Sequence, residues 1–509
     1  MPKGHYKDND IKGPGDYRIS EVILYSYAGL PIDISDTIVS MDIYESIYSN
    51  CITGSITFAD TQGLTERTPI IGKEYLEFKF RTPIEYKGDG GEYSAMSGDR
   101  FAVFNLSAKQ ISGGQSQIIT LEFTSLENLR SARLRVSKAF TGSYDKAINE
   151  IYERSWGLNS QKKLYLEPCS RSQKYVVPNL HPLDAINDIC SRALSKKTSS
   201  PGFFFYETSQ GFHFRSLDSM LRQYSNEFAL SPQWEYDVSS AYKPAPQRIG
   251  VDPIALMQRV YSFGFDSQYN QLNNAKKGSY SSRLLAHDSY NKTITDKEFN
   301  YQKAKDYLSL PHMHSKLVGA MEMANQMAIT PAAPADLKDD GLTGGLVGGR
   351  TSEEYTDGHI MVQSSTTNVH NDNDGTNYHV EEYLQKRVHL LSLLDAIKIT
   401  LQVPGNTHLN AGNIVKVKIP AYTTELHEKG GSKRYDRFLS GNYLIVQLRH
   451  TIDARKHQHR TIMTLSKETY GYPLRSAQNR PENKTTQYAK GAINIETGIG
   501  YGIDEQGSL

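Results

Sequence analysis

The chain has 509 residues, and its 57 Lys plus Arg against 56 Asp plus Glu leave a formal net charge of +1, which argues against a strongly basic nucleic-acid binder. A hydrophobic fraction of 38% is too high for a disordered chain, and the length points to roughly three to four structural units. Its three cysteines, Cys51, Cys169 and Cys190, form no CxxC, so neither a disulfide framework nor a structural zinc site is expected, and assembly in a reducing cytosol fits.

Residues 1–15 read as a polar, Gly-rich arm without the apolar stretch of a signal peptide. No apolar run downstream approaches the roughly 18 residues that span a bilayer, so no membrane partner is expected. Residues 16–136 then alternate with period two. Val39, Met41 and Ile43 share a face, as do Ile52, Ile56 and Phe58, then Leu76, Phe78 and Phe80, then Ile119, Leu121 and Phe123. Glu77, Lys79 and Arg81 fall opposite the third set, which predicts an antiparallel sheet with one wet face. Gly72 and Gly113-Gly114 mark turns, and 85–98 reads as a polar loop.

The period changes in 137–232. Ala147, Ile148, Ile151 and Tyr152 are spaced for a helix with Ser143 as N-cap. Pro182 opens a second helix carrying Leu183, Ile186, Ile189, Cys190, Ala193 and Leu194, where a missing N–H costs nothing. Residues 203–206, a turn at Gly211 and 212–217 predict a hairpin, so this stretch is a small α/β unit. Strands resume near Ile254, and 233–298 and 397–475 read as β structure around an insertion at 299–396. Within it, 316–328 predicts a helix, 330–378 a long loop, and 381–395 a helix with Leu384, Val388, Leu391 and Leu394 on one stripe. Ile397, Ile399, Leu401 and Val403 form a strand, and 476–509 is a polar tail. The 33 tyrosines suit surfaces buried against partners, or simply strand propensity.

A faint duplication runs through this pattern. Gly72 before a strand at 75–80, then strands at 101–106 and 118–123, recur as Gly412 before 414–419, then 443–448 and 460–465, in the same order and at nearly the same spacing. Gly54-Ser55 before 56–60 is echoed by Gly278-Ser279 before 280–288, which would split the second copy around the insertion. Three chains with two similar units each would offer six near-equivalent ones, letting a trimer meet a six-fold ring on one side and a three-fold object on the other.

The segments LPIDISDTIVSMDIYE (30–45), TGSITFAD (53–60) and PIIGKE (69–74) resemble the start of central baseplate hub proteins of contractile-tailed (myovirus) bacteriophages. GFFFYE (202–207) with GFHFRSL (211–217) is similar to that family's α/β domain, and LNAGNIVKVKIP (409–420) with LSGNYLIV (439–446) resembles its second barrel. The resemblance covers 15–475 and extends to the hub portion of type VI secretion spike proteins. It implies a mainly β fold with a smaller α/β part: two tube-like antiparallel β-barrel domains plus an inserted α/β domain. It implies a non-enzymatic homotrimer with pseudo-six-fold symmetry in the virion tail baseplate, assembled in the bacterial host cytoplasm. Its partners would be the tail tube protein, a separate central spike protein and the neighbouring wedge proteins. DNA would cross its lumen during ejection without sequence-specific contact. A tube-end adaptor ring and a baseplate-borne cell-wall hydrolase are the competing readings.

No catalytic, cofactor or metal residue is assigned. His370, Asp372, Asp374, Gly375 and Glu381 nearly spell a calcium loop, but His occupies the first position and Asn377 the eighth, so a solvated loop capping the next helix is preferred. His312 with His314 and His457 with His459 have strand spacing for joint ligation but no third ligand nearby, and exposed histidines are preferred. Ser440, His450 and Asp453 could compose a triad, yet no Gly-x-Ser-x-Gly elbow, P-loop or Rossmann glycine pattern occurs. Arg130, Arg133 and Arg135 form a short basic run, read as a solvated or subunit-facing edge with a phosphate contact in the lumen as the sharper alternative.

Overall fold

The computed structural model describes residues 15–61, 63–86, 89–94, 100–112, 116–170, 173–221, 234–242, 257–268, 273, 276–279, 281–289, 291–300, 359–364, 380–421, 435–436 and 439–468. Most of the arm, the 316–328 helix, much of the insertion and the tail lie outside the described residues, as do His312, His314, His370, Asp372, Asp374 and Gly375.

Apolar alternation builds the first unit. Strands β1 (Arg18–Tyr25), β2 (Pro31–Asp33), β3 (Ile38–Ser46), β4 (Thr53–Asp60), β5 (Tyr75–Tyr86), β6 (Asp89–Ser94), β7 (Phe101–Ser112) and β8 (Ser116–Ser125) pair antiparallel, with one turn of helix, α1 (Leu64–Arg67), after β4. Their order is β3-β4-β8-β7-β5-β1-β2, and β6 lies on β5. Ile34 N–H donates to Val22 O at 3.0 Å, which brings β1 beside the approach to β3 and curls the sheet around one core. Ile56, Phe58, Leu76, Phe78, Phe80, Ile119, Leu121 and Phe123 fill that core, as the alternation predicts. Val39 does not join them. A register shift between Ile38 and Ser40 turns Ile38 inward instead, while Met41 and Ile43 keep their face. The loop expected at 85–98 is also corrected: β5 runs to Tyr86 and β6 returns along it, since a backbone ladder needs no apolar alternation.

The α/β unit follows as α2 (Leu126–Arg133), β9 (Val136–Gly142), α3 (Tyr144–Glu153), β10 (Leu164–Leu166), β11 (Gln173–Leu180), α4 (Pro182–Arg192), β12 (Phe203–Thr208), β13 (Gly211–Ser216) and α5 (Leu217–Leu221). Ser143 holds the extended backbone of an N-cap and Pro182 sits in the first turn of α4. The apolar faces of both helices pack with Phe203, Phe205, Phe212 and Phe214 into one core that also takes in the thiols Cys51, Cys169 and Cys190. Gly211 has φ +125, and a Cβ there would meet Lys163 O at 2.3 Å, so the hairpin turn requires glycine.

The remaining strands are β14 (Glu235–Asp237), β15 (Ser262–Gln268), β16 (Ser281–Asp288), β17 (Thr293–Asn300) and β18 (Ile360–Ser364), then α6 (Val380–Leu393), β19 (Ile397–Pro404), β20 (Ile414–Lys418), β21 (Gly441–Asp453) and β22 (Gln458–Lys467). The order β15-β19-β22-β21-β20-β14 matches β3-β4-β8-β7-β5 strand for strand over its first five members. Leu106, Leu121 and Ile56 occupy the ladder positions of Leu448, Met463 and Leu401. The Gly278 echo is overturned. β16 pairs with β17 and β18 in a separate three-stranded sheet, and the counterparts of β3 and β4 are β15 and β19. A Gly-Ser step marks where a strand begins, not which sheet it joins. β18 likewise falls inside the expected long loop.

Helix α6 is where expected, but its stripe is only half right: Leu394, just past the helix end, is buried and Leu391 packs partly against the same cluster, whereas Leu384 and Val388 are only half-buried. The other buried residues include Gln385, His389, Leu390 and Ser392. Gln385 Nε2 donates to Ser282 O at 3.0 Å and Lys297 O at 3.1 Å, and His389 Nδ1 lies 2.5 Å from Ser279 O. The helix is seated on β16 and β17 partly through polar groups that satisfy strand carbonyls, which apolar periodicity does not register.

Candidate functional site

The two barrels belong to one sheet. The first half of β21 pairs with β20, and its second half, Gln447 to Asp453, pairs antiparallel with Ser46 to Ser40 of β3. Arg449 Nε donates to Asp42 Oδ1 at 3.0 Å and Thr451 Oγ1 to the same oxygen at 2.7 Å. Ile452 crosses over to pack in the first barrel's core. Behind it His450 Nδ1 lies 3.1 Å from His459 Nε2, with the Phe80 ring against both imidazoles. Gly405 lies against this pair: a Cβ there would stand 2.0 Å from His459 Nδ1.

Burial pushes His450 down to about 3 and His459 well below its ordinary value, with the His450 charge as the lesser cause for the second. A histidine kept neutral this way binds fewer protons folded than unfolded. Its contribution is therefore complete above about pH 6.5 and is lost as the pH falls toward about 3. The unfolding free energy from urea titrations is expected to drop between about pH 6.5 and about pH 4, by up to roughly 1.4 kcal/mol per pH unit for each imidazole. His450→Gln should flatten that slope, and an unchanged slope in the variant would rule out this origin.

A second joint fixes the α/β unit to the first barrel. The Glu207 carboxylate on β12 accepts from Ile52 N–H at 2.9 Å, Ser125 Oγ at 2.5 Å and Lys162 Nζ at 2.5 Å. Lys162 Nζ is also 3.3 Å from Glu127, whose other oxygen accepts from Ser160 Oγ at 2.6 Å. Burial raises the Glu207 pKa, opposed by the Lys162 ammonium and reinforced by Glu127. Glu45 on β3 bridges three parts of the chain: its oxygens accept from Ser209 N–H at 3.1 Å and Ala411 N–H at 3.2 Å. Below it Phe204, Tyr206, Met220, Leu390, Ile414 and Leu444 share an apolar cluster. Sequence reading missed Glu207, Lys162, Glu127 and Glu45, for none sits in a spacing motif.

The residues singled out from sequence are dispersed. His457 is exposed in the β21–β22 turn, as preferred, but the exposure preferred for His459 is corrected: it is buried against His450 inside the joint, so the two histidines do not face one position. Ser440 and Asp453 lie at opposite ends of β21, roughly 40 Å apart at strand rise. Ser440 Oγ accepts from Ile419 N–H at 2.9 Å, and Asp453 accepts from Arg455 N–H at 3.1 Å, so Ser440, His450 and Asp453 form no triad. Arg130 donates to Asn159 O at 2.8 Å and Arg135 to Asn179 O at 3.0 Å, which makes both of them braces of the α/β unit; Arg133 is exposed. Glu381 lies in the first turn of α6, and the other residues weighed for a calcium loop lie outside the described residues. Among the described residues no group of three His, Cys, Asp or Glu is placed to hold a metal ion, and no helix is long and apolar enough to cross a membrane.

No protein-family profile matches the chain. It is similar to a protein of Vibrio phage KVP40 described as "Probable baseplate hub protein gp334", with 20% identity over 429 residues, spanning 82% of this chain and 88% of that one. Among solved structures it is similar to a tail protein from Neisseria meningitidis MC58, with TM-score 0.46, 10% identity, and 90% and 98% of the two chains covered. It is also similar to the 43 kDa tail protein of prophage MuSo2 from Shewanella oneidensis, with TM-score 0.44, 8% identity, and 89% and 100% covered.

Proposed function

We propose that this chain is a structural protein of a phage tail baseplate, and within it the central hub, a homotrimer that adapts the hexameric tail tube to a trimeric central spike. The observation that carries this reading is the pair of like barrels in one chain, joined edge to edge by β21 and β3. One chain thus supplies two successive positions of a ring, and three chains supply six. The likeness to the Vibrio phage hub protein, which spans most of both chains, supports the same reading. The tube protein would stack on the six-fold face, with spike and wedge proteins below and around it, and DNA would pass through the lumen without base contacts. Nothing in this role needs chemistry, and the dispersal of Ser440, His450 and Asp453 accords with that.

The test is the mass of the purified full chain by light scattering, alone and with the phage's spike co-expressed. A trimer is expected, with three-fold symmetry and six barrels in averaged images down the axis. A chain that stays monomeric at high concentration with the spike present would sink the proposal.

A further inference from the structure

The joint within the chain foretells the joint between chains. In the second barrel the β21–β22 hairpin reaches out and pairs with β3, and Ile452 at its tip is 0% exposed in the core of the other barrel. The matching hairpin of the first barrel is β7–β8. Ile111, opposite Gln117, holds the ladder position of Ile452, opposite His459, yet Ile111 is 77% exposed. The counterpart of β3 is β15. Met41 and Ile43 pair with Ile56 and Gly54, as Phe263 and Phe265 pair with Leu401 and Ile399. Ile43 is 0% exposed beneath β21, whereas Phe265 is 46% exposed. Among the described residues β15 is the last strand of its end of the sheet, and no strand covers its outer side.

The chain therefore carries one half-joint at each end of the repeat: an uncovered hairpin tip on the first barrel and an uncovered acceptor strand on the second. We infer that β7 of one chain pairs antiparallel with β15 of the next, in the register that β21 and β3 already show. Carried across, that register sets Ile111 opposite Phe263, Gln110 opposite Gly264 and Lys109 opposite Phe265. The Ile111 side chain enters the neighbour's second barrel beside Phe263, as Ile452 enters the first barrel beside Met41. Main-chain hydrogen bonds supply the association and the side-chain alternation fixes the register, since a slip of one residue turns Ile111 to the wrong face. The joint is head-to-tail, so each chain donates one hairpin and accepts another, and the sheet becomes continuous around the ring. This inference rests on the hub reading and names the surface by which its copies meet.

Engineered cysteines separate the two claims. Facing residues of an antiparallel pair lie about 4.5–5.5 Å apart, within disulfide reach. The native Cys51, Cys169 and Cys190 are buried and leave little background. The full chain carrying Ile111→Cys with Phe263→Cys, oxidised mildly, should give dimers and trimers linked by reducible bonds on a denaturing gel. Gln110→Cys with Phe263→Cys, whose side chains fall on opposite faces, should not. Ile111→Asp should abolish the trimer while leaving the monomer's melting temperature unchanged, because the site is exposed before assembly. A native trimer without the expected crosslink, an equal crosslink in the slipped pair, or a trimer that survives Ile111→Asp overturns the register and leaves the hub standing. A chain that forms no trimer even with its spike overturns both.

Discussion

Glu207→Ala is expected to destabilise the folded chain by about 3–5 kcal/mol, the usual penalty for stranding one member of a buried ion pair. Glu207 is the acceptor on which three segments converge: the Ile52 amide ahead of β4, the Ser125 hydroxyl at the end of β8, and the Lys162 ammonium from the α/β unit. Removing it takes from Lys162 one of the two carboxylates beside it, and takes the acceptor from a buried amide and a buried hydroxyl. Glu207→Gln keeps the shape and an acceptor oxygen but loses the charge, so its cost should fall between alanine and wild type. Lys162→Met should also be costly, since it leaves Glu127 and Glu207 facing each other in a site shielded from water. Urea denaturation measures these losses, and limited proteolysis should show the α/β unit coming away from the first barrel before the barrels open. A loss under about 1 kcal/mol for Glu207→Ala would mean that the cluster contributes little and that the apolar contacts alone hold the joint.

Phe80→Ala is the second large effect, again about 3–5 kcal/mol, for a buried aromatic whose neighbours cannot collapse into the space it leaves. Phe80 belongs to the first barrel, but its ring lies 5.5 Å from the His459 ring and 6.5 Å from the His450 ring, centroid to centroid, so it packs on the hairpin of the second. The substitution should therefore do more than open a cavity. Water admitted beside the imidazoles relieves the burial that holds both pKa values down, and they rise toward their ordinary range. The variant should be less stable at neutral pH, yet lose less of its remaining stability on acidification than wild type. Parallel pH curves for the two proteins would mean that Phe80 does not shield the pair.

What the sequence determined by itself was local. Alternation at Leu76, Phe78 and Phe80 and at Ile119, Leu121 and Phe123, helical spacing at Ala147 to Tyr152, and the Gly211 hairpin each follow from neighbours a few residues apart, and each appears in the structure. The repeat was also legible, because barrels with the same strand order need similar apolar runs at similar spacing. The tertiary structure decided which strands meet. β3 and β21 lie some 400 residues apart and join through backbone groups that every residue carries, so no side-chain pattern announces their pairing. The same holds for β15 standing in for β3, and for β16, whose promising Gly-Ser approach leads into another sheet. The polar interior was equally hidden. Glu207, Lys162 and His450 read as surface residues by type, and only the partners that the folded chain brings beside them make their burial affordable. In such a protein periodicity determines what each strand is, while long-range hydrogen bonding and the partners of buried charge determine where it goes.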